Sequence, residues 1–450
     1  MANVIKLRKG LDINLKGKAT SNKIKVNPSK EYALVPEDFI GLIPKVVVKE
    51  GDMVKAGDAL FVNKKFPEVG FASPVSGTVT SVLRGERRKL LCVKVQPDSK
   101  QDYRDFEVKE TASLDGKAVV DLLLKAGIFG YINQLPYAVS ATPDVLPKAI
   151  FVSAFRDMPL AANFDVELEG EEEVFQTGLT ALSKIEKTYL GINPSQASGA
   201  LSNMKDVEIT VFDGPCPAGN VGVQINHLSP VNKGEVVWTV DPTTVLFIGR
   251  LFSTGKVDLS RTIALAGSEM ESPCYAKVLV GQPLKDVLKG KLADNGKVRI
   301  INGKPLTGRK TDLDGYVGGH TSEITAIPEG NETNEMLGWI MPRFNQFSVN
   351  RSYFSWLMGK NKEYTLDTRV KGGERHMIMS GEYDRVIPMD IYPEYLIKAI
   401  ITGDIDKMEQ LGIYEVAPED FALAEFVDSS KLELQRIVRE GLDMLRKENA

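Results

Sequence analysis

Between Glu31 and Gln96 the chain is densely punctuated. VKEGDMVKAGDALF is followed by FASPVSGTVTSVLRGERRKLLCVKV, short β-branched runs cut by Gly-Asp, Pro and Ser-Gly turns. No helix propagates through that spacing, so the stretch is restricted to a small, turn-rich β unit. Such a unit leaves most of the 450 residues to other cores, about three or four in all at roughly 150 residues per domain. With 43% hydrophobic and 26% charged residues, wholesale disorder, collagen and disulfide-stapled miniproteins are excluded. A net charge of -4 argues against broad electrostatic binding of nucleic acid. The three cysteines, Cys92, Cys216 and Cys274, are widely separated. They cannot complete a disulfide set or, alone, a four-thiolate iron–sulfur site, and a reducing cytoplasm fits them best. The opening MANVIKLRKGLDINL lacks the apolar core of a signal peptide, so no export is expected. Nowhere do the roughly 18 consecutive apolar residues of a membrane span occur. Ala149–Ala154 and Val245–Ile248 read as buried strands, and any membrane role is peripheral.

From about Tyr103 to Gly249 strands alternate with helices. KAIFVSAF (148–155) and VEITVFDG (207–214) are the clearest strands, and between them Val174, Leu179, Leu182 and Ile185 recur near helical spacing. Strand, helix, strand implies an α/β layer with a mainly parallel sheet. No GxGxxG fingerprint follows a strand. GPCPAGNVG (214–222) follows one but holds two prolines; a tight structural connection is favoured there over a ligand loop. Arg250–Gly330 returns to strands and turns, with one helix around Pro283–Leu288. The loop GYVGGHTSEI invites a catalytic reading of His320, yet none of the three histidines is spaced with another as a metal ligand. His320, His227 and His376 are therefore expected to be hydrogen-bonded structural residues. After Asn331 the pattern turns helical: Pro393 opens a helix with Leu396, Ile397, Ile400 and Ile401 inward. Ser430 and Glu433 form a capping box before Leu434, Ile437, Val438, Leu442 and Leu445.

The phrases GDMVKAGDAL and SPVSGTV resemble the two quasi-repeated halves of the barrel-sandwich hybrid in biotinyl and lipoyl carrier domains. A carrier presents a modifiable lysine between those halves, usually within Met-Lys-Met. NKKFPEVGF puts Lys65 or Phe66 near the tip without the methionines, so a packing module is expected instead. Residues 250–330 resemble the soluble-ligand-binding β-grasp family. In order, and through RKGLDI (8–13), AIFVSAFRDMPLAA (149–162) and MPRFNQFSVNRSYFS (341–355), essentially the whole chain resembles the A-subunit family of Na+-translocating NADH:quinone reductases. More distantly it is similar to the C subunit of the Rnf complex and the flavoprotein subunit of respiratory complex I. The resemblance implies an α/β multidomain protein. Its parts are a barrel-sandwich hybrid β module (1–102), a Rossmann-like α/β domain (103–249), a β-grasp domain (250–330) and a C-terminal helical domain (331–450), ferredoxin-like without cluster ligands.

In the Rnf relative the helical tail carries two C-x₂-C-x₂-C-x₃-C-P runs. Here the first would place Met377, Ser380, Tyr383 and Ile387 before Pro388, and the second Val416, Glu419, Ala422 and Phe426. None is a thiolate. In the flavin-binding relatives a Gly-rich loop follows a helix ending in AG; here Gly130 remains, but Tyr131, Asn133 and Gln134 replace the packed glycines. The implied role is therefore a peripheral component on the cytoplasmic face of the bacterial inner membrane. It would serve a complex that oxidises NADH, reduces ubiquinone and pumps Na+, handling quinone and docking other subunits. Flavins and iron–sulfur centres would lie in those partners, with no tightly bound cofactor, catalytic residue or metal site in this chain. Two alternatives stand beside it: an independent soluble flavin or NADH dehydrogenase, and a biotinyl or lipoyl carrier. The candidate docking surface is Arg343, Phe344, Phe347, Arg351, Tyr353, Phe354, Trp356, Lys360 and Lys362, aromatics and cations with no acidic residue among them. Internal aromatics under a solvated cationic rim are the equal alternative.

Overall fold

The computed structural model describes residues 3–108, 113–293, 297–330, 337, 340–359 and 361–449. In the turn-rich stretch, Asp52 accepts a hydrogen bond from the Lys49 amide and Asp58 one from the Lys55 amide, at 2.7 and 2.8 Å. These are the same turn made twice, and Gly51 and Gly57 supply its left-handed backbone at φ +90° and +100°. The flanking runs form two small sheets. One orders Tyr32–Leu34, Leu90–Pro97, Gly77–Arg84 and Met53–Val54; the other Pro44–Val46, Ala59–Asn63 and Gly70–Ala72. Lys65 is exposed in the turn after Ala59–Asn63, and Phe66 is half-buried there.

The alternating region forms a seven-stranded mixed sheet in the order Asn3–Lys6, Glu208–Asp213, Thr188–Ile192, Ile150–Ser153, Val237–Thr239, Asn133–Leu135, Val139–Ser140. The first five strands are parallel and the last two antiparallel. Helix Glu172–Ile185 buries Leu179 and Leu182, as its spacing predicts. It crosses helix Pro242–Thr254 through two glycines. A Cβ at Gly178 would lie 2.2 Å from the Val245 carbonyl oxygen, and one at Gly249 1.9 Å from that of Val174. Val245–Ile248 is thus helix, not the strand expected from its apolar run. Asp241 caps this helix, Pro242 occupies its first turn, and burial all round erases the amphipathic signature.

A six-stranded sheet orders Arg309–Thr311, Val298–Asn302, Glu323–Pro328, Ser260–Ala266, Cys274–Leu279 and Lys23–Lys25, with the short helix Leu284–Val287 against it. The N-terminal segment is therefore shared out: Asn3–Lys6 completes one sheet and Lys23–Lys25 another.

In the tail, α-helices begin at Tyr383, and a five-residue 3-10 turn, Phe354–Met358, precedes them. Helix Pro393–Thr402 starts at its proline and buries Leu396, Ile397 and Ile400, whereas Ile401 is exposed. Helix Leu434–Glu448 buries the five apolar residues its spacing selects. The capping box does not form: the Ser430 hydroxyl donates to the His376 carbonyl at 3.1 Å, and Glu433 makes no side-chain cap. Among the described residues no helix is long and apolar enough to cross a membrane.

Candidate functional site

From Ile150–Ser153 the chain builds outward to Thr188–Ile192 and Glu208–Asp213, then returns through helix Val221–Leu228 to place Val237–Thr239 on the other side of Ile150–Ser153. That reversal is a topological switch point, where connections at the carboxyl ends of two adjacent strands diverge and leave a crevice. A cavity of about 670 Å³ lies there. Ser153, Arg156, Thr239 and Asp241 line it from the strand ends, with walls from the β module (Glu37, Asp38), the six-stranded region (Lys304, His320) and the tail (Pro418, Glu419).

Its floor is ionic. Arg156 Nη2 donates to both Asp241 oxygens and to the Thr243 hydroxyl, each at 3.3 Å. Arg156 Nη1 approaches Glu167 at 3.6 Å but makes no hydrogen bond among the described residues. Burial opposes the Arg156 charge, and the Asp241, Glu167 and Glu323 carboxylates outweigh it, so the guanidinium stays protonated. Burial likewise pushes the Asp241 carboxyl up, but Arg156, Arg261 and His320 hold it down at about 2. Glu167, which accepts from the Thr243 hydroxyl at 2.9 Å, is raised because burial prevails. His320 packs against Phe39 and Tyr131, ring centroids 5.6 and 5.7 Å away, and these two rings also touch each other at 5.0 Å. Burial lowers its pKa to about 4, making it a neutral imidazole at pH 7.

The loop before helix Val221–Leu228 forms a second wall. The Gly219 amide donates to Asp157 at 2.8 Å, and Asn220 Nδ2 donates to the Glu419 carbonyl and to Asp420 at 3.3 and 3.1 Å. Gly222 is required because a Cβ would stand 2.4 Å from Asp420 Oδ2. Burial pushes the Asp420 carboxyl from an ordinary 3.8 up to about 7. A group raised on folding contributes stability that is fully present below about pH 4 and lost as pH rises through 7. The tail's attachment should therefore weaken between those values. Asp420→Asn should flatten that part of a melting temperature against pH profile, and a slope equal to that of the wild type would contradict it.

The structure changes the expectation for His320. Its Nε2 has no hydrogen-bond partner among the described residues and it lines the cavity, so it is not a satisfied structural histidine. His227 does bond locally, Nδ1 to the Val223 carbonyl at 2.9 Å, and His376 is exposed. The Gly214–Gly222 loop is a tight connection and a cavity wall at once. Arg156, Asp38 and Asp241 do not stand out in the sequence as site residues. A signal exists for Arg156 and Asp241: each follows a buried strand directly, and Asp241-Pro242 reads as a helix start.

The residues expected to dock partners lie in the stretch before the tail helices. Arg343 lies over the Tyr353 ring at 5.7 Å and Arg351 over Trp356 at 5.1 Å, while Phe344 packs on Phe354 at 6.0 Å. Lys362 Nζ donates to the Phe344 carbonyl at 2.6 Å. Phe347 instead turns inward onto Tyr364 and Phe426, and Lys360 lies outside the described residues.

Most of the residues that the resemblance sets against cofactor positions in the relatives pack in the interior. A Cβ on Gly130 would meet the Phe71 ring at 2.3 Å, so this glycine admits an aromatic ring. Tyr383, Ile387, Val416 and Ala422 are buried in the helical core, whereas Ser380 is exposed and Glu419 lines the crevice. The three cysteines are buried singly, and no group of three or more His, Cys, Asp or Glu among the described residues could hold a metal ion.

Fold and site together define a multidomain α/β protein with a polar crevice at the junction of its parts. Family models of the NqrA N-terminal barrel-sandwich hybrid domain, the NqrA second alpha/beta domain and the NQRA C-terminal domain match residues 5–98, 114–257 and 262–312. The A subunit of the Na(+)-translocating NADH-quinone reductase of Serratia proteamaculans is 36% identical over 454 residues, covering 99% of this chain and 100% of that protein. Its counterparts in Photorhabdus laumondii and Neisseria meningitidis serogroup B are 35% and 34% identical, with the same coverage. The chain belongs to the NqrA family, the A subunits of Na(+)-translocating NADH-quinone reductases.

Proposed function

We propose that the chain is the peripheral NqrA component of a membrane complex that oxidises NADH, reduces ubiquinone and moves Na+. Its end-to-end likeness to subunits of that name carries the reading. It sits at the cytoplasmic face, binds quinone and holds other subunits, while flavins and iron–sulfur centres lie in those partners. We read the seven-stranded layer as Rossmann-like and the six-stranded one as β-grasp, with divisions near residues 102 and 330. Because residue 249 falls inside helix Pro242–Thr254, we place the middle division after that helix rather than at 249, and we assign Asn3–Lys6 and Lys23–Lys25 to the sheets they join. The ring that Gly130 admits weighs against an independent flavin dehydrogenase.

The crevice is the place for a quinone headgroup. Its carbonyl oxygens accept hydrogen bonds and carry no charge, which suits the Arg156 Nη1–H and a neutral His320 protonated at Nε2. Val35, Ile40 and Phe155 offer apolar wall to a methylated ring. The fixed Arg156 charge favours electron density growing on the nearer oxygen, and enclosure strengthens that attraction. His320→Phe keeps a ring against Phe39 and Tyr131 but removes the donor. Binding of a short-chain ubiquinone, read by quenching of intrinsic fluorescence, should weaken about tenfold with little change in melting temperature. Undiminished affinity would remove His320 from the site.

A further inference from the structure

The turn Phe354–Met358 has inverted polarity. Its small polar member, Ser355, is buried, while Phe354, Trp356, Leu357 and Met358 are 53, 46, 60 and 51% exposed. The Ser355 hydroxyl has no hydrogen-bond partner among the described residues, so the inward face gains little from that exchange. Ile340, Met341 and Phe344 extend the exposed apolar surface. In water such a patch is unfavourable, and it marks contact with an apolar medium or a partner. Charge decides between these. From Leu337 to Lys362 the chain has no acidic residue, and Arg343, Arg351 and Lys362 stand among the aromatic rings. The core of a protein interface is depleted of charge, whereas an interfacial lipid-binding segment interleaves apolar and aromatic side chains with cations.

We infer that this turn enters the interfacial layer of an anionic bilayer, with Phe354, Trp356, Leu357 and Met358 among the acyl chain ends and Arg343, Arg351 and Lys362 at the phosphates. The inference rests on the peripheral-component reading for its setting and commits this stretch to lipid. Trp356 is suited to the boundary, since its indole has an apolar body and a polar N–H. Arg351, stacked on that ring, brings a donor to the same depth.

Flotation of the full chain with vesicles tests this, comparing equal parts phosphatidylcholine and phosphatidylglycerol with phosphatidylcholine alone. Binding should favour the anionic vesicles, fall by about fivefold for each of the three cations replaced by Ser, and decline as salt rises. Joint replacement Phe354→Ser, Trp356→Ser and Leu357→Ser should lower partition on the order of a hundredfold. These side chains are exposed, so melting should be unchanged. Brominated lipid should quench a component of the wild-type fluorescence that is missing in Trp356→Phe. No binding to anionic vesicles, or binding unaffected by the triple serine variant, would overturn the inference. A chain that co-purifies with the membrane subunits yet ignores vesicles overturns the lipid contact and leaves the family role standing. A chain that binds vesicles through this turn yet never assembles does the reverse.

Discussion

Arg156→Met should destabilise the protein by about 3–5 kcal/mol, because it strips the directly paired cation from a buried ion cluster, leaving Arg261 as the only arginine facing the carboxylates among the described residues. The side chains of Arg156 and Glu167 are only 6% and 4% exposed, so water cannot replace the lost charge. Methionine matches the length of the aliphatic stem but offers nothing to Asp241, Glu167 or the Thr243 hydroxyl. The pH signature separates this from simple loss of packing. Asp241, held at about 2 against an ordinary 3.8, contributes stability that is present above about pH 4 and lost as pH falls through 2. In Arg156→Met that contribution should shrink, and neutralising the acids as well, with Glu167→Gln and Asp241→Asn, should recover part of the stability. A single variant melting within a degree or two of wild type would show that the cluster does not depend on its arginine.

Phe71→Ala should have an effect of similar size, about 3–5 kcal/mol, for a different reason. The Phe71 ring packs on Phe39 at 4.3 Å and Phe61 at 5.0 Å, and it fills the space left by Gly130. It joins the β module to the α/β layer within one continuous core. Its loss should therefore loosen the module's attachment and the nearby crevice wall at Asp38, read as earlier proteolysis together with a lower melting temperature. Gly130→Ala makes the test two-sided. In the wild type the new methyl group collides with Phe71 and should destabilise; in the Phe71→Ala background it partly refills the cavity and should stabilise. The same sign in both backgrounds would contradict this packing.

Local chemistry is readable where a short segment carries its own instruction. The paired Gly-Asp turns, the proline opening Pro393–Thr402 and the inward stripe of Leu434–Glu448 are each decided within a dozen residues. What spacing does not reveal is decided by partners far along the chain. Val245–Ile248 has no polar face because Glu172–Ile185 covers one side of its helix, so period and burial cannot be told apart. Ser430 belongs to the His376 carbonyl rather than to the helix it precedes. The crevice is the hardest part. Asp38, Arg156, Asp241 and His320 come from different parts of the chain: the reversal of strand order brings Arg156 to Asp241, and packing of the β module and the six-stranded region against that sheet adds Asp38 and His320. His320 looks inert in sequence because its significance lies in the bond it does not make.

The division of the N-terminal segment between two sheets has a consequence for synthesis. Asn3 pairs with Thr210, and Lys23 with Tyr275. At about 5–20 residues per second, on the order of ten seconds or more separates emergence of each edge from the ribosome and arrival of the strand it needs. During that wait Val4 and Ile5, and Ile24 in its turn, are unpaired strand segments available to any other open edge. The lysines beside them, Lys6, Lys23 and Lys25, serve that interval as much as the finished fold, since charge on an unpaired edge discourages a wrong partner until the right one is made.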